Sequence, residues 1–235
     1  MIRVLTPATS ANLGPGFDLL GLALDLYNEV RFIPDDEWRV TAEGYGAEYL
    51  SGHTDLLVCQ AIRRIYSETG RGCSGGQVHL VNKIPDVGGL GTSASAIVGG
   101  LVAANCSLGE PLTKDELLQL AMELEGHPDN VAPAIYSAKV SCLRIPFPEQ
   151  IQIVLVIPRL KISTEEARRL LPEKIPLQDA VFNISRAGLL IGACFSNRPD
   201  LLEVAMRDKI HQPYRAQLIP GFNAVLENAL RAGAY

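Results

Sequence analysis

The residues best suited to chemistry gather in Gly88-Gly89-Leu90-Gly91-Thr92-Ser93, between the strand-like stretch Gln77 to Ile84 and the small-residue run Ala96 to Asn105. Glycines at 88, 89 and 91 let a backbone approach a ligand and take positive φ without a Cβ penalty. A helix that starts directly afterwards aims unpaired N–H groups and a partial positive charge at whatever lies in the loop. Hydroxyls at Thr92, Ser93 and Ser95 suit phosphate oxygens or a magnesium ion. The stretch lacks the Gly-Lys-Ser/Thr ending of a Walker A loop and is not G-x-G-x-x-G. Glycine content alone is equally explained by a tight turn with close helix packing. The hydroxyl cluster at a helix start favours phosphate.

The elements that must position this loop show in the periodicity. Ile2 to Leu5 and Glu29 to Ile33 read as extended, the second followed by the turn Pro34-Asp35-Asp36. Asp55 to Tyr66 reads as a helix. Thr113-Lys114-Asp115-Glu116 has the form of a capping box, opening a helix with Leu117, Leu120, Ala121 and Leu124 on one stripe. Gly126-His127-Pro128-Asp129-Asn130 reads as a loop, and Pro146-Phe147-Pro148 as a domain junction. Beyond it, Ile151 to Ile157 is a buried-strand candidate, a second capping box stands at Ser163-Thr164-Glu165-Glu166, and helices dominate. The expected class is α+β in two domains, residues 1–145 and 146–235.

Composition narrows the function. A net charge of −5 without a basic run argues against nucleic acid, which needs a positive field to displace counterions. There is no long apolar run to span a membrane, and the start MIRVLTPATS does not read as a signal peptide, so a cytoplasmic location is expected. Cys59, Cys73, Cys106, Cys142 and Cys194 are scattered without a C-x-x-C pair, which points to reduced, packed thiols.

Pro85 to Ser95, that is Pro85-Asp86-Val87-Gly88-Gly89-Leu90-Gly91-Thr92-Ser93-Ala94-Ser95, resembles the P-x-x-x-G-L-G-S-S-A loop of the GHMP kinases, with Thr92 replacing the first serine. Four more stretches resemble the homoserine kinase branch: Thr9 to Asp18, Glu125 to Ala134, Ser163 to Arg168 and His211 to Arg215, in the same order. The resemblance implies a ribosomal-S5-like N-terminal domain with a left-handed crossover and a ferredoxin-like C-terminal domain, with the active site between them. It implies ATP over the Pro85–Ser95 loop, and L-homoserine held by Asn12, Asp18, His127, Asn130, Thr164, Arg168 and Arg215. It also implies a homodimer.

Within that expectation, Ser93 and a glutamate hold Mg2+. Advancing about 100° per residue, Glu125 falls at the edge of the apolar stripe and Glu123 toward the polar face, so Glu125 is preferred and Glu123 kept in reserve. Thr164 and Arg168, four apart, share a helix face, and an arginine fork suits a carboxylate. Arg215 adds a second cation, while Asp18 suits the ammonium or the hydroxyl. As isolated residues, the arginines would read as surface ion pairs and Asp18 as a turn former. Asn130 stands where other GHMP kinases carry an aspartate, and an amide cannot take a hydroxyl proton as a carboxylate does. Asn130, Arg168 and Asp18 are therefore the catalytic candidates, acting by orientation and charge. His127 is either a substrate ligand or a loop-stabilising histidine.

The chain departs from the family after Tyr136, where Ser137 follows without the usual Gly-Gly hairpin, and the family's late G-x-G-P-S/T loop would lie past Tyr235. The competing expectations are a GHMP kinase for mevalonate or a sugar, and a non-catalytic GHMP-fold metabolite-binding protein.

Overall fold

Four strands form the only sheet among the described residues: β1 (Ile2–Ala11), β2 (Gly21–Asp35), β3 (Trp38–Gly44) and β4 (Gly75–Asn82), in the order β1-β2-β4-β3. β1 and β2 pair antiparallel, as do β2 and β4, whereas β3 lies parallel to β4. A parallel neighbour requires a crossover. α1 (Ala47–Leu50) and α2 (Leu57–Glu68) supply it. The structure is a computed structural model that describes residues 1–86, 89–135, 145–158, 160 and 162–235. By its contacts the chain divides into two units, Met1–Ala11 with Gly21–Leu143, and Asn12–Leu20 with Arg144–Tyr235.

In the first unit, alternation along the strands sends Val30, Phe32, Val40, Val78 and Leu80 to the face covered by α2 and α3 (Thr92–Ser107). Ile62, Ile65, Ile97 and Leu101 meet them there without exposure. Burying a side chain of this size contributes roughly 1.5–3 kcal/mol. The small residues of α3 have a definite reason. A Cβ on Gly100 would lie 2.5 Å from the carbonyl oxygen of Val58 and 2.9 Å from Cβ of Ala61, and one on Gly99 would lie 2.6 Å from Cγ2 of Val30. The helix therefore approaches α2 and β2 more closely than side chains would allow. That sets where its N-terminus, and the loop before it, can stand.

α4 (Lys114–Glu125) opens on the capping box read from the sequence: Thr113 accepts from the Glu116 N–H, and the Glu116 carboxylate accepts from the Thr113 N–H. It ends at Gly126, whose φ of 89° is the left-handed conformation of a helix terminus. The loop expected over 126–130 is a correction. Only Gly126 and His127 are a connection, because α5 (Pro128–Ile135) starts at Pro128, a residue whose fixed φ and missing N–H suit a first helical position.

The second unit is helical or irregular throughout its described residues, with α6 (Thr164–Arg169), α7 (Leu177–Phe195), α8 (Leu202–Ala205), α9 (Gln212–Arg215) and α10 (Phe222–Arg231). Leu190, Ala193, Leu202 and Ala205 form its core. The buried strand expected over Ile151 to Ile157 is a second correction. Val154 is 82% and Val156 69% exposed, and the segment has no strand partner among the described residues. An apolar run reads as a buried strand only if a neighbouring backbone takes up its N–H and C=O groups. The segment after Tyr136, where the sequence departs from its family, and Cys142 lie outside the described residues.

Gly100→Ala is expected to lower stability by about 1–3 kcal/mol through forced separation of α2 and α3. Urea unfolding of the pair measures it. An unchanged midpoint would mean that this contact does not set the spacing.

Candidate active site

The glycine-rich loop is built around Gly91, the residue before α3. Its φ is 67°, and a Cβ there would fall 1.9 Å from the hydroxyl oxygen of Thr9 and 3.1 Å from Oδ1 of Asn130. Only glycine fits on both counts. Thr9 is fully buried; its N–H donates to the Leu90 carbonyl at 3.0 Å and its hydroxyl to Oδ1 of Asn130 at 2.8 Å. Leu90 packs with Ala8, Leu24 and Ile84. The loop is thereby fastened to β1 directly and, through Thr9, to α5. Of the residues expected to cradle the nucleotide, Pro85, Asp86 and Gly89 to Ser95 are placed; Val87 and Gly88 lie outside the described residues.

The three hydroxyls have separate tasks. Thr92 donates to the Pro85 carbonyl at 2.8 Å, closing the loop on itself. Ser95 is fully buried and shares a hydrogen bond of 2.8 Å with Thr6. Ser93 donates to the Glu125 carboxylate, with oxygens at 2.7 and 2.9 Å. Glu123 instead turns to Arg64, at 3.1 Å. Burial pushes the Glu125 carboxyl above its ordinary range and Asp129 adds to the push, while the Ser93 hydrogen bond and the charge of His127 oppose it. His127 lies 3.0 Å from Oδ1 of Asp129, whose carboxylate is buried. A carboxylate and a hydroxyl at a helix start form a pair of hard oxygen donors.

Beside Ser93 lies a cavity of about 240 Å3 with apolar walls from Leu56, Leu57, Val58 and Leu80 and polar points at Asn82 and Thr92. Sequence reasoning did not find these wall residues. They come from the start of α2 and from β4, and each reads as ordinary core or helix start.

The second unit holds the other group of expected residues. In the loop 12–20, Asn12 and Asp18 have φ of 57° and 51°, uncommon for residues with a side chain, and Gly14 has 51°. The Asp18 N–H donates to Oδ1 of Asn12 at 2.9 Å, which ties the two ends of the turn. Arg168, in the last turn of α6, donates both Nη groups to Asp18, at 2.9 and 2.7 Å. Arg215 ends α9, with its guanidinium carbon 4.8 Å from the centre of the Phe17 ring. Thr164 opens α6 and is exposed, one turn ahead of Arg168. Thus Asn12, Asp18, Arg168 and Arg215 come together in this unit, and Ser93, Glu125, His127 and Asn130 belong to the first.

A carboxyl with a higher pKa in the folded than in the unfolded state binds extra protons when folded, so its stabilising contribution is present at low pH and lost as pH rises through the raised value. Glu125→Gln keeps an oxygen for Ser93 and removes the charge. Without nucleotide, the variant should exceed the parent in stability at about pH 8, and the advantage should vanish toward about pH 4. Urea unfolding at both pH values measures this. A pH-independent difference would overturn the assignment of a desolvated carboxylate.

The GHMP kinases N terminal domain matches residues 56–138. The homoserine kinase of Carboxydothermus hydrogenoformans is 49% identical over 245 aligned positions, which take in 100% of this chain and 80% of that protein. The homoserine kinase of Crocosphaera subtropica is 42% identical, again over 100% of this chain and 80% of the relative. Among solved structures, a homoserine kinase from Cytophaga hutchinsonii superposes with a TM-score of 0.83 at 32% identity, covering 99% of this chain and 79% of that one. At this identity and coverage, the chain belongs to the homoserine kinases, within the GHMP kinases.

Proposed function

We propose that the protein transfers the γ-phosphoryl group of ATP to the side-chain hydroxyl of L-homoserine, giving ADP and O-phospho-L-homoserine for threonine biosynthesis. The observation that carries the choice of acceptor is the two-pronged Asp18–Arg168 pair with Arg215 nearby. An amino acid presents one carboxylate and one ammonium. A guanidinium fork and an aspartate match both charges, whereas mevalonate and galactose offer no ammonium to Asp18.

The donor half follows from the first unit. Phosphates lie against the N-terminus of α3, where unpaired N–H groups and the helix dipole favour negative charge. The base occupies the apolar cavity beside Ser93. Ser93 and Glu125 suit Mg2+, which takes oxygen ligands and completes its shell with phosphates and water. When bound there, it neutralises charge building on the phosphate oxygens. Asn130 has its Oδ1 occupied by Thr9, so it offers its amide N–H groups. It donates to the reacting oxygens and takes no proton. Catalysis then rests on orientation and on donors aimed at an anionic, loose transition state. His127, Asn12 and Thr164 complete the acceptor set by the family resemblance.

The same resemblance supports a cytoplasmic homodimer, a state that sedimentation measures directly. Among the described residues no helix is long and apolar enough to cross a membrane.

ADP release with Mg-ATP across L-homoserine, mevalonate, galactose and a blank tests the reading. Turnover confined to L-homoserine is expected. Turnover with another acceptor, or ATP binding without any turnover, would overturn it in favour of another alcohol kinase or a metabolite-binding protein. Asn130→Asp keeps the acceptor for Thr9 but removes the donor, and kcat should fall on the order of 10²-fold. A gain in kcat with a new acidic limb would show that a base is wanted there.

A further inference from the structure

We propose that Phe17 is a positioning residue for the acceptor, its ring holding the guanidinium groups of Arg168 and Arg215; this rests on the homoserine reading above. The guanidinium carbons lie 5.3 and 4.8 Å from the ring centre, both within the range of cation–π attraction. Two like charges near one ring repel, and its π electrons attract both and offset part of that repulsion. A cation–π contact needs no hydrogen-bond acceptor, so it leaves the N–H donors of the fork for carboxylates. Arg168 already spends two of them on Asp18, the residue next to Phe17. When an ammonium engages Asp18 and a carboxylate engages Arg168, the counter-ions of the guanidinium change. The ring stays where it is. It keeps the arginines in place through the exchange.

A platform must itself be fixed, and this one is. The His211 ring lies 5.4 Å from the Phe17 ring, tilted by 32°. His211 is 4% exposed, and its Nε2 is 2.7 Å from the Gly14 carbonyl oxygen, in the same loop as Phe17. Its own backbone is held by Asp208, whose carboxylate accepts from the N–H groups of Ile210, His211 and Gln212 and from the amide of Asn183. Gly14 cannot gain a side chain, because a Cβ would lie 2.9 Å from the Cα of Met206. Buried polar groups thus lock the loop that carries the ring. A phenylalanine serving only as filler would not need two cations within 5.3 Å of its ring centre.

The test replaces Phe17 by 4-fluoro-, 3,5-difluoro- and 3,4,5-trifluorophenylalanine, which drain the π face stepwise with little change in size, and adds Phe17→Leu and Phe17→Tyr. Expected is a progressive rise in KM for L-homoserine, reaching about tenfold in the trifluoro form and in Phe17→Leu. KM for ATP, kcat and thermal midpoint should change little along the fluorinated series, and Phe17→Tyr should stay near the parent. A KM for homoserine that is flat across the series, while the parent turns homoserine over, would overturn the proposal and leave the functional reading standing. Absence of homoserine turnover by the parent would overturn that reading and this proposal with it.

Discussion

The hydroxyl of Thr9 has no access to water, and a buried hydroxyl costs about 1–3 kcal/mol if it finds no partner. Its partner is Oδ1 of Asn130, while its backbone N–H meets Leu90. Strand β1, the glycine-rich loop and α5 are therefore joined at one residue. The joint tolerates nothing larger than hydrogen at Gly91, since a Cβ would collide with that hydroxyl. Glycine is required here by two demands at once, left-handed backbone and close approach. The amide of Asn130 inherits its orientation from the same bond, so the geometry of the loop and the chemistry of the asparagine are not independent.

The residues proposed to hold the acceptor are positioned by a different strategy. Asn12 and Asp18 adopt left-handed backbone, a conformation that costs on the order of 1–3 kcal/mol for such residues. The Asp18 N–H to Asn12 bond and the pair of bonds from Arg168 hold the turn in that shape. The assignment of Asn12 and Asp18 to substrate contact comes from the family resemblance, because by local pattern Asp18 reads as a turn former.

Features with a local signature were legible. The glycines before a helix start, the Thr113–Glu116 box and the helical advance that sets Glu125 apart from Glu123 all depend on near neighbours, and the structure has Glu125 against Ser93 and Glu123 against Arg64. Pro128-Asp129-Asn130 misled because each residue is a turn former, although Pro, Asp and Asn also suit a first helical turn. Ile151 to Ile157 misled because composition cannot say whether a neighbour strand is present. Phe17 carried no periodic signal within a Gly-Pro-Gly loop, and its value depends on arginines about 150 and 200 residues away in the chain. The cavity walls were illegible for the same reason.

An acidic chain that handles a polyanion must make its positive field locally. The net charge of −5 supplies no long-range attraction for ATP, and salt screens what field there is beyond about 10 Å. In the first unit the field comes from the amides at the start of α3, partial charges that need no counter-ion and no desolvation of a lysine. In the second it comes from arginines grouped at an aromatic face. Helix amides hold phosphate without distinguishing what bears it. On the proposed reading, forked guanidiniums beside an aspartate distinguish an amino acid from other alcohols, and specificity for the acceptor resides with Asp18, Arg168 and Arg215.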